Sequence, residues 1–185
     1  MKKEILERIQ IRMGDLTLIE ADAIVNAANP TLLGGGGIDG MIHWAAGEEL
    51  LEECRKIGYC PTGEARITGG YKLPCRHVIH TVGPVYQLDG ANAPKLLASC
   101  YLSCLKLAVE HHLATIAIPA ISCGSYGYPA EEASRIALDT VFDFLKADKT
   151  LQKVIFVLFK IEHYEAYIYY YNAISLSSDS TSVSV

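Results

Sequence analysis

Nowhere in this chain do lysines or arginines gather into a run, and the formal net charge is −5 with a pI near 5.7. That balance excludes the broad cationic footprint by which nucleic acid or an anionic membrane is held, so an anionic ligand would have to be gripped locally. Long apolar runs are missing too. No window approaches the ~18 uninterrupted apolar residues of a membrane span, and Met1-Lys2-Lys3-Glu4-Ile5-Leu6-Glu7 lacks the apolar core of a secretion signal. A soluble, cytoplasmic, monomeric protein with no membrane partner is expected. The glycines form no G-x-G-x-x-G, and no acidic residue follows a first strand at the distance that grips a ribose, which excludes a Rossmann dehydrogenase.

Cysteine is not scarce, with 6 residues (Cys54, Cys60, Cys75, Cys100, Cys104, Cys123), but a chain with an ample core and no export signal has no need of disulfides. Free thiols are expected. Cys75, His77 and His80 match no common zinc spacing, so His77 and His80 are read as strand positions and no metal or cofactor is expected. Trp44 reads as core, His111-His112 as a helix end, and Tyr167, Tyr169, Tyr170 and Tyr171 as the lining of a terminal helix.

Half of the 185 residues are hydrophobic, enough for a single buried core. Short β-branched runs alternate with longer helical patterns, the mark of a layered α/β domain. Strands are expected at Ile9–Arg12, Ala23–Ala27, His77–Val82, Thr115–Pro119 and Val154–Phe159, with Ala23–Ala27 apolar enough to be buried on both faces. Helices are expected at about Gly40–Cys54, Asn92–His111, Ala130–Lys146 and Tyr164–Ala173. The domain is expected to span residues 1–174, and the serine-rich residues 175–185 to form a disordered tail.

Two loops stand out. Gly34-Gly35-Gly36-Gly37 lies between a buried strand and a helix expected to begin near Met41. Such a run is costly in entropy unless the backbone must approach a ligand or visit positive φ, and its N–H groups would form an anion cradle. Asn26, Asn29 and Asp39 stand beside it, at the strand end where α/β sheets present ligands. Asn26 either satisfies loop backbone or meets the ligand. The second loop, Ala120-Ile121-Ser122-Cys123-Gly124-Ser125-Tyr126-Gly127-Tyr128-Pro129, also runs from strand to helix. Tyr126 reads either as a cover for a sugar ring or as a plain surface turn. His43 reads either as a partner of Asp39 or as a helix-surface residue.

Gly14-Asp15-Leu16-Thr17, Ile24-Val25-Asn26-Ala27-Ala28-Asn29, Gly34-Gly35-Gly36-Gly37-Ile38-Asp39-Gly40, Thr62-Gly63-Glu64-Ala65, Thr68-Gly69-Gly70-Tyr71-Lys72-Leu73-Pro74, Val78-Ile79-His80-Thr81-Val82-Gly83-Pro84 and the second loop follow one another in the order of the macro domain family. From about Gly14 to Phe159 the chain resembles that family in its MacroD-type subgroup. The resemblance implies a three-layer α/β/α sandwich around a mixed, six-stranded sheet. It implies that ADP-ribose lies across the two loops, with Asp15 on the adenine amino group and Leu16 and Phe159 lining the adenine pocket. Gly35, Gly36, Gly37 and Ile38, together with Ser122, Cys123, Gly124, Ser125 and Tyr126, would hold the diphosphate.

By the same resemblance Asn29 and Asp39 mark the hydrolytic members, which remove mono-ADP-ribose from aspartate or glutamate side chains and deacetylate O-acetyl-ADP-ribose. Asn29 would position the distal ribose, and Asp39 would orient or deprotonate the attacking water, unless the diphosphate itself acts as base. Mono-ADP-ribosylated proteins, ADP-ribose and O-acetyl-ADP-ribose are the partners implied. A non-catalytic ADP-ribose reader is the alternative. A reader of single-stranded RNA is disfavoured by the acidic charge. Cys123 stands where many relatives carry threonine or another small residue.

Overall fold

The structure is a computed structural model, and it describes residues 2–177. Its elements are α1 (Lys2–Glu7), β1 (Ile9–Met13), β2 (Ala21–Ala28), α2 (Gly37–Ala46), α3 (Glu48–Ile57), β3 (Ala65–Gly69), β4 (Cys75–Val82), α4 (Tyr86–Asp89), α5 (Ala93–Glu110), β5 (Thr115–Ile118), α6 (Ala130–Ala147), β6 (Lys153–Leu158) and α7 (Ile161–Leu176). The sheet order is β1-β6-β5-β2-β4-β3. Every neighbouring pair is parallel except β3 on β4, so the mixed six-stranded sheet has one antiparallel edge.

Alternation along the strands separates two apolar layers. Ile24, Val78, Ala117 and Ile155 face α2 and α3, where Ile42, Leu50 and Cys54 complete one buried cluster. Ala23, Val25, Ile116 and Phe156 face the opposite side, against Leu97 and Tyr101 of α5, Leu138 of α6 and Tyr167 of α7. The expected three-layer α/β/α sandwich is the observed fold, and β2 is buried on both faces as its composition implies. All six cysteines are free and buried. Among the described residues no helix is long and apolar enough to cross a membrane.

Several expectations are corrected. The helix read as Gly40–Cys54 is two helices, because Gly47 sits at φ +90, outside helical geometry, and ends α2 before α3 begins. The first of these starts at Gly37 rather than near Met41, which puts Asp39 in its first turn instead of in the loop. Trp44 is not core: it is 89% exposed, because it lies on the outer face of α2 while Ile42 and Ala46 face the sheet. The edge strand β3 and the short α1 had no counterpart in the sequence reading. The final helix runs through Leu176, two residues into the serine-rich stretch; residues 178–185 of that stretch lie outside the described residues.

Candidate active site

Because β1, β2, β4, β5 and β6 run parallel, their carboxyl ends meet along one sheet edge, and the loops leaving them build a single groove. One end is a cleft of about 480 Å³ lined by Asn29, the Gly35–Asp39 segment, Gly83, Ser122, Gly124, Ser125, Tyr126 and Lys160. It continues, through the shared Gly37, Ile38, Gly124 and Lys160, into a more apolar compartment of about 310 Å³ that includes Asp15, Leu16, Met41, Val157, Phe159 and His163. Both glycine-rich loops therefore face one groove, as their placement after β2 and β5 led one to expect.

The first loop is built for backbone exposure. Gly37 sits at φ +58, open to glycine at little cost, and begins α2. Within the chain, the N–H groups of Gly37, Ile38 and Asp39 have no partner among the described residues. Unpaired donors at the positive end of a helix, at the bottom of a cleft, make an anion site. The second loop contributes Ser122, a non-glycine residue at φ +65 whose buried hydroxyl has no partner among the described residues. Such a conformation is costly and is typical of functional loops.

Asn29 staples its own loop. Its Nδ2 donates to the Gly34 carbonyl at 2.9 Å, and its Oδ1 accepts from the backbone N–H and hydroxyl of Thr31 at 3.1 and 2.6 Å. That leaves its second N–H for the cleft it lines. Asp39 also opens on the cleft although it is all but buried. Burial raises the proton affinity of its carboxyl, partly opposed by a hydrogen bond from Asn26 and the nearby His43 ring. His43 Nε2 stands 3.5 Å from Asp39 Oδ1, so His43 is a neighbour of the carboxylate rather than a surface residue.

Two expected ligand contacts are not there. Asn26 is completely buried and donates from Nδ2 to Asp39 Oδ1 at 2.8 Å, so it stands behind the carboxylate and does not reach the groove. Cys123 turns its thiol into the core, where burial pushes it up to about 12, and its backbone N–H is bonded to the Ala120 carbonyl at 3.3 Å. Neither its sulfur nor its amide faces the cleft. In the second compartment Asp15 caps the Leu16–Leu18 turn, its Oδ1 accepting from Thr17 N and Oγ1 at 2.9 and 2.6 Å. Phe159 is 73% exposed and lines this compartment.

Lys160 and His163 were missed by the sequence reading. Lys160 follows Phe159 directly and caps α7, which is the signal that could have placed it at the sheet edge. His43, Cys54 and His80 bring potential ligand atoms within 4.8 Å of one another. Both His80 ring nitrogens already have hydrogen-bond partners, and burial raises the Cys54 thiol to about 11, so these two side chains are engaged in packing and hydrogen bonding.

Fold and groove together define a class: an α/β/α domain whose sheet edge pairs an anion cradle of backbone amides with an apolar, aromatic-edged compartment, a carboxylate standing at the cradle. The family profile for the macro domain matches residues 25–137. A macro domain-containing protein of Chlorobaculum tepidum is 56% identical over 153 residues, covering 83% of this chain and 89% of that protein. The ADP-ribose glycohydrolase MACROD2 of Xenopus laevis is 52% identical over 161 residues, 86% of this chain and 38% of the relative. Among solved structures, the Oceanobacillus iheyensis macrodomain with ADP superposes with a TM-score of 0.87 at 42% identity, covering 90% of this chain and 91% of the other. The Trypanosoma brucei macrodomain in complex with ADP-ribose gives 0.84 at 45%, covering 88% and 68%. The chain belongs to the macro domain family, in its MacroD-type subgroup.

Proposed function

We propose that this chain is an ADP-ribose-binding hydrolase that releases mono-ADP-ribose from aspartate and glutamate side chains and deacetylates O-acetyl-ADP-ribose. Asp39 is the observation that carries it: a nearly buried carboxylate that opens on the cleft within the first turn of the helix whose free amides form the cradle. A reader needs the cradle and the aromatic compartment but has no use for a carboxylate beside a bound polyanion. Relatives named as ADP-ribose glycohydrolases and a neighbour solved with ADP-ribose support the same reading.

The groove accepts the ligand in one direction. The adenine goes to the compartment of Asp15, Leu16 and Phe159, the diphosphate to the amides of Gly35–Ile38 and to Ser122 and the Gly124–Tyr126 segment, and the distal ribose to Asn29 under Tyr126. Lys160, lining both compartments, adds a cation where the diphosphate passes. At the ester linkage, water oxygen bonds to the anomeric carbon while the bond to the acyl oxygen breaks, its electron pair leaving with the target carboxylate. The water proton passes to Asp39 or to a diphosphate oxygen. Holding water, carboxylate and anomeric carbon together supplies much of the acceleration for so labile a bond.

The test is release of ADP-ribose from a glutamate-modified protein by the wild type and by Asp39→Ala. Release by the wild type and its loss in the variant is the expected result. Tight ADP-ribose binding without release by the wild type would leave the reader function standing instead.

A further inference from the structure

Behind Asp39 a hydrogen-bonded line crosses three adjacent strands. Asn26 on β2 and His80 on β4 are register partners, and Thr68 lies on β3 beyond them, all on the α2/α3 side of the sheet. Asn26 Nδ2 lies 2.8 Å from Asp39 Oδ1 and 3.1 Å from His80 Nδ1, and His80 Nε2 lies 3.0 Å from Thr68 Oγ1. Asn26, His80 and Thr68 are all buried.

Donor chemistry gives the line a direction. An amide nitrogen carries two hydrogens and no acceptor, so Asn26 spends one on the carboxylate and the other on His80 Nδ1. Nδ1 must then be bare, and the ring proton sits on Nε2, aimed at the Thr68 hydroxyl. Thr68 in turn donates to a backbone carbonyl, Gly69 O at 3.1 Å or Val78 O at 3.4 Å. The ring stays neutral, because burial, aided by the nearby His43, lowers its pKa to about 3.

A turned-over Asn26 amide would set its oxygen against the Asp39 carboxylate oxygen that its nitrogen now meets at 2.8 Å. As held, Asn26 Oδ1 is buried with no partner among the described residues. An amide that leaves its acceptor unsatisfied is being held by what its N–H groups meet.

We propose that His80 is a positioning residue: with its proton fixed on Nε2 by Thr68, it holds the Asn26 amide so that an N–H always points at Asp39, fixing that carboxylate toward the cleft. The proposal rests on the reading of Asp39 as the group that handles the attacking water. Besides Asn26, the groups facing Asp39 are His43 from its own helix, Cys54 from α3 and Tyr126 from the second loop, with His80 of β4 behind Asn26 and beside His43. Tyr126, Cys54 and a neutral His80 carry no charge near neutral pH, which leaves His43 and the Asn26 N–H as the groups that favour the carboxylate.

The experiment follows the carboxyl carbon of Asp39 by NMR through a pH titration, with ADP-ribose affinity and hydrolysis measured alongside, in wild type, His80→Leu, His80→Asn and Thr68→Val. His80→Leu removes the acceptor that holds the amide; Asn restores an acceptor near Nδ1; Val removes the partner that fixes the ring proton. The expected result is an Asp39 midpoint moved to higher pH in His80→Leu, less so in Thr68→Val, and returned toward wild type in His80→Asn. In parallel, kcat falls by up to roughly 100-fold in His80→Leu with its acid limb moved to higher pH, while ADP-ribose affinity changes little. An Asp39 midpoint unmoved in folded His80→Leu and Thr68→Val overturns the proposal. So does a loss in which affinity and kcat fall together with no shift of the limb. Since the carboxyl titration needs no turnover, a wild type that fails to hydrolyse would sink the enzyme reading alone.

Discussion

A Cβ on Gly40 would stand 2.4 Å from the carbonyl oxygen of Gly35. The glycine loop is thus folded back directly onto the first turns of α2, and the close approach aims its amides into the cleft. Gly36, by contrast, has nothing within 4 Å of the place its Cβ would take, and its φ of −92 suits any residue. Gly40→Ala should therefore destabilise the domain by roughly 1–3 kcal/mol and weaken ADP-ribose binding with it. Gly36→Ala should leave stability within about 0.5 kcal/mol and weaken binding alone, because its methyl enters the groove. Urea denaturation and calorimetry on both variants separate the two; equal stability losses would disprove the assignment.

Asp39 links the site to pH. Burial raises its carboxyl pKa in the folded state, so the folded protein holds that proton to higher pH than the unfolded chain does. Folding stability from this group therefore declines as pH rises from the unfolded value near 3.8 through the raised folded value, and the cost is fully present above it. Asp39→Asn removes the charge and keeps an acceptor for Asn26. It should melt higher than wild type near neutral pH, the gap closing as pH falls, while hydrolysis is lost. A variant equally or less stable at neutral pH would contradict this account, and the melting temperatures at several pH values decide it.

Much of this was legible in the sequence. Strand periodicity gave five of the strands to within a residue or two at their ends, because buried parallel strands read as β-branched runs. The motif order located the groove, since both glycine loops follow parallel strands. What failed was direction: nothing in the spacing of Asn26 and Asn29 says which faces the cleft. The pleat decides, turning Asn26 inward with Ile24 and Ala28, while Asn29, past the end of β2, is free to meet the loop. The edge strand β3 was hidden because Ala65-Arg66-Ile67-Thr68-Gly69 is short and ends in glycine. Members of the buried hydrogen-bonded line such as Thr68 become visible only once β3 is laid against β4.

Trp44 follows from the same limit and provides a probe. It is the single tryptophan, it is 89% exposed, and with Met41, Asp15 and Gly35–Gly37 it borders a shallow pocket on the outer side of the glycine loop. Its emission should respond when ADP-ribose fills the cradle, giving a saturating titration that is absent in Gly36→Ala variants too weak to bind. Trp44→Ala should cost less than ~0.5 kcal/mol of stability, as exposed side chains do. A loss several times larger, measured by denaturation, would mean that the tryptophan packs as core after all.

Asp15 tests the orientation of the ligand. Its Oδ1 holds the Leu16–Leu18 turn through Thr17, so an alanine there would disturb the turn and confuse binding with folding. Asp15→Asn keeps a carbonyl oxygen for Thr17 but offers an N–H where the carboxylate could accept from an adenine amino group. Stability should stay within about 0.5 kcal/mol. ADP-ribose affinity should fall roughly tenfold, about the value of one charge-assisted hydrogen bond. An analogue with hypoxanthine in place of adenine presents a carbonyl at that position, so the asparagine variant should bind it better than the wild type does. That crossing of preferences requires the base to sit against Asp15. If both proteins rank the two ligands alike in calorimetry, the adenine lies elsewhere and the direction assigned to the groove is wrong.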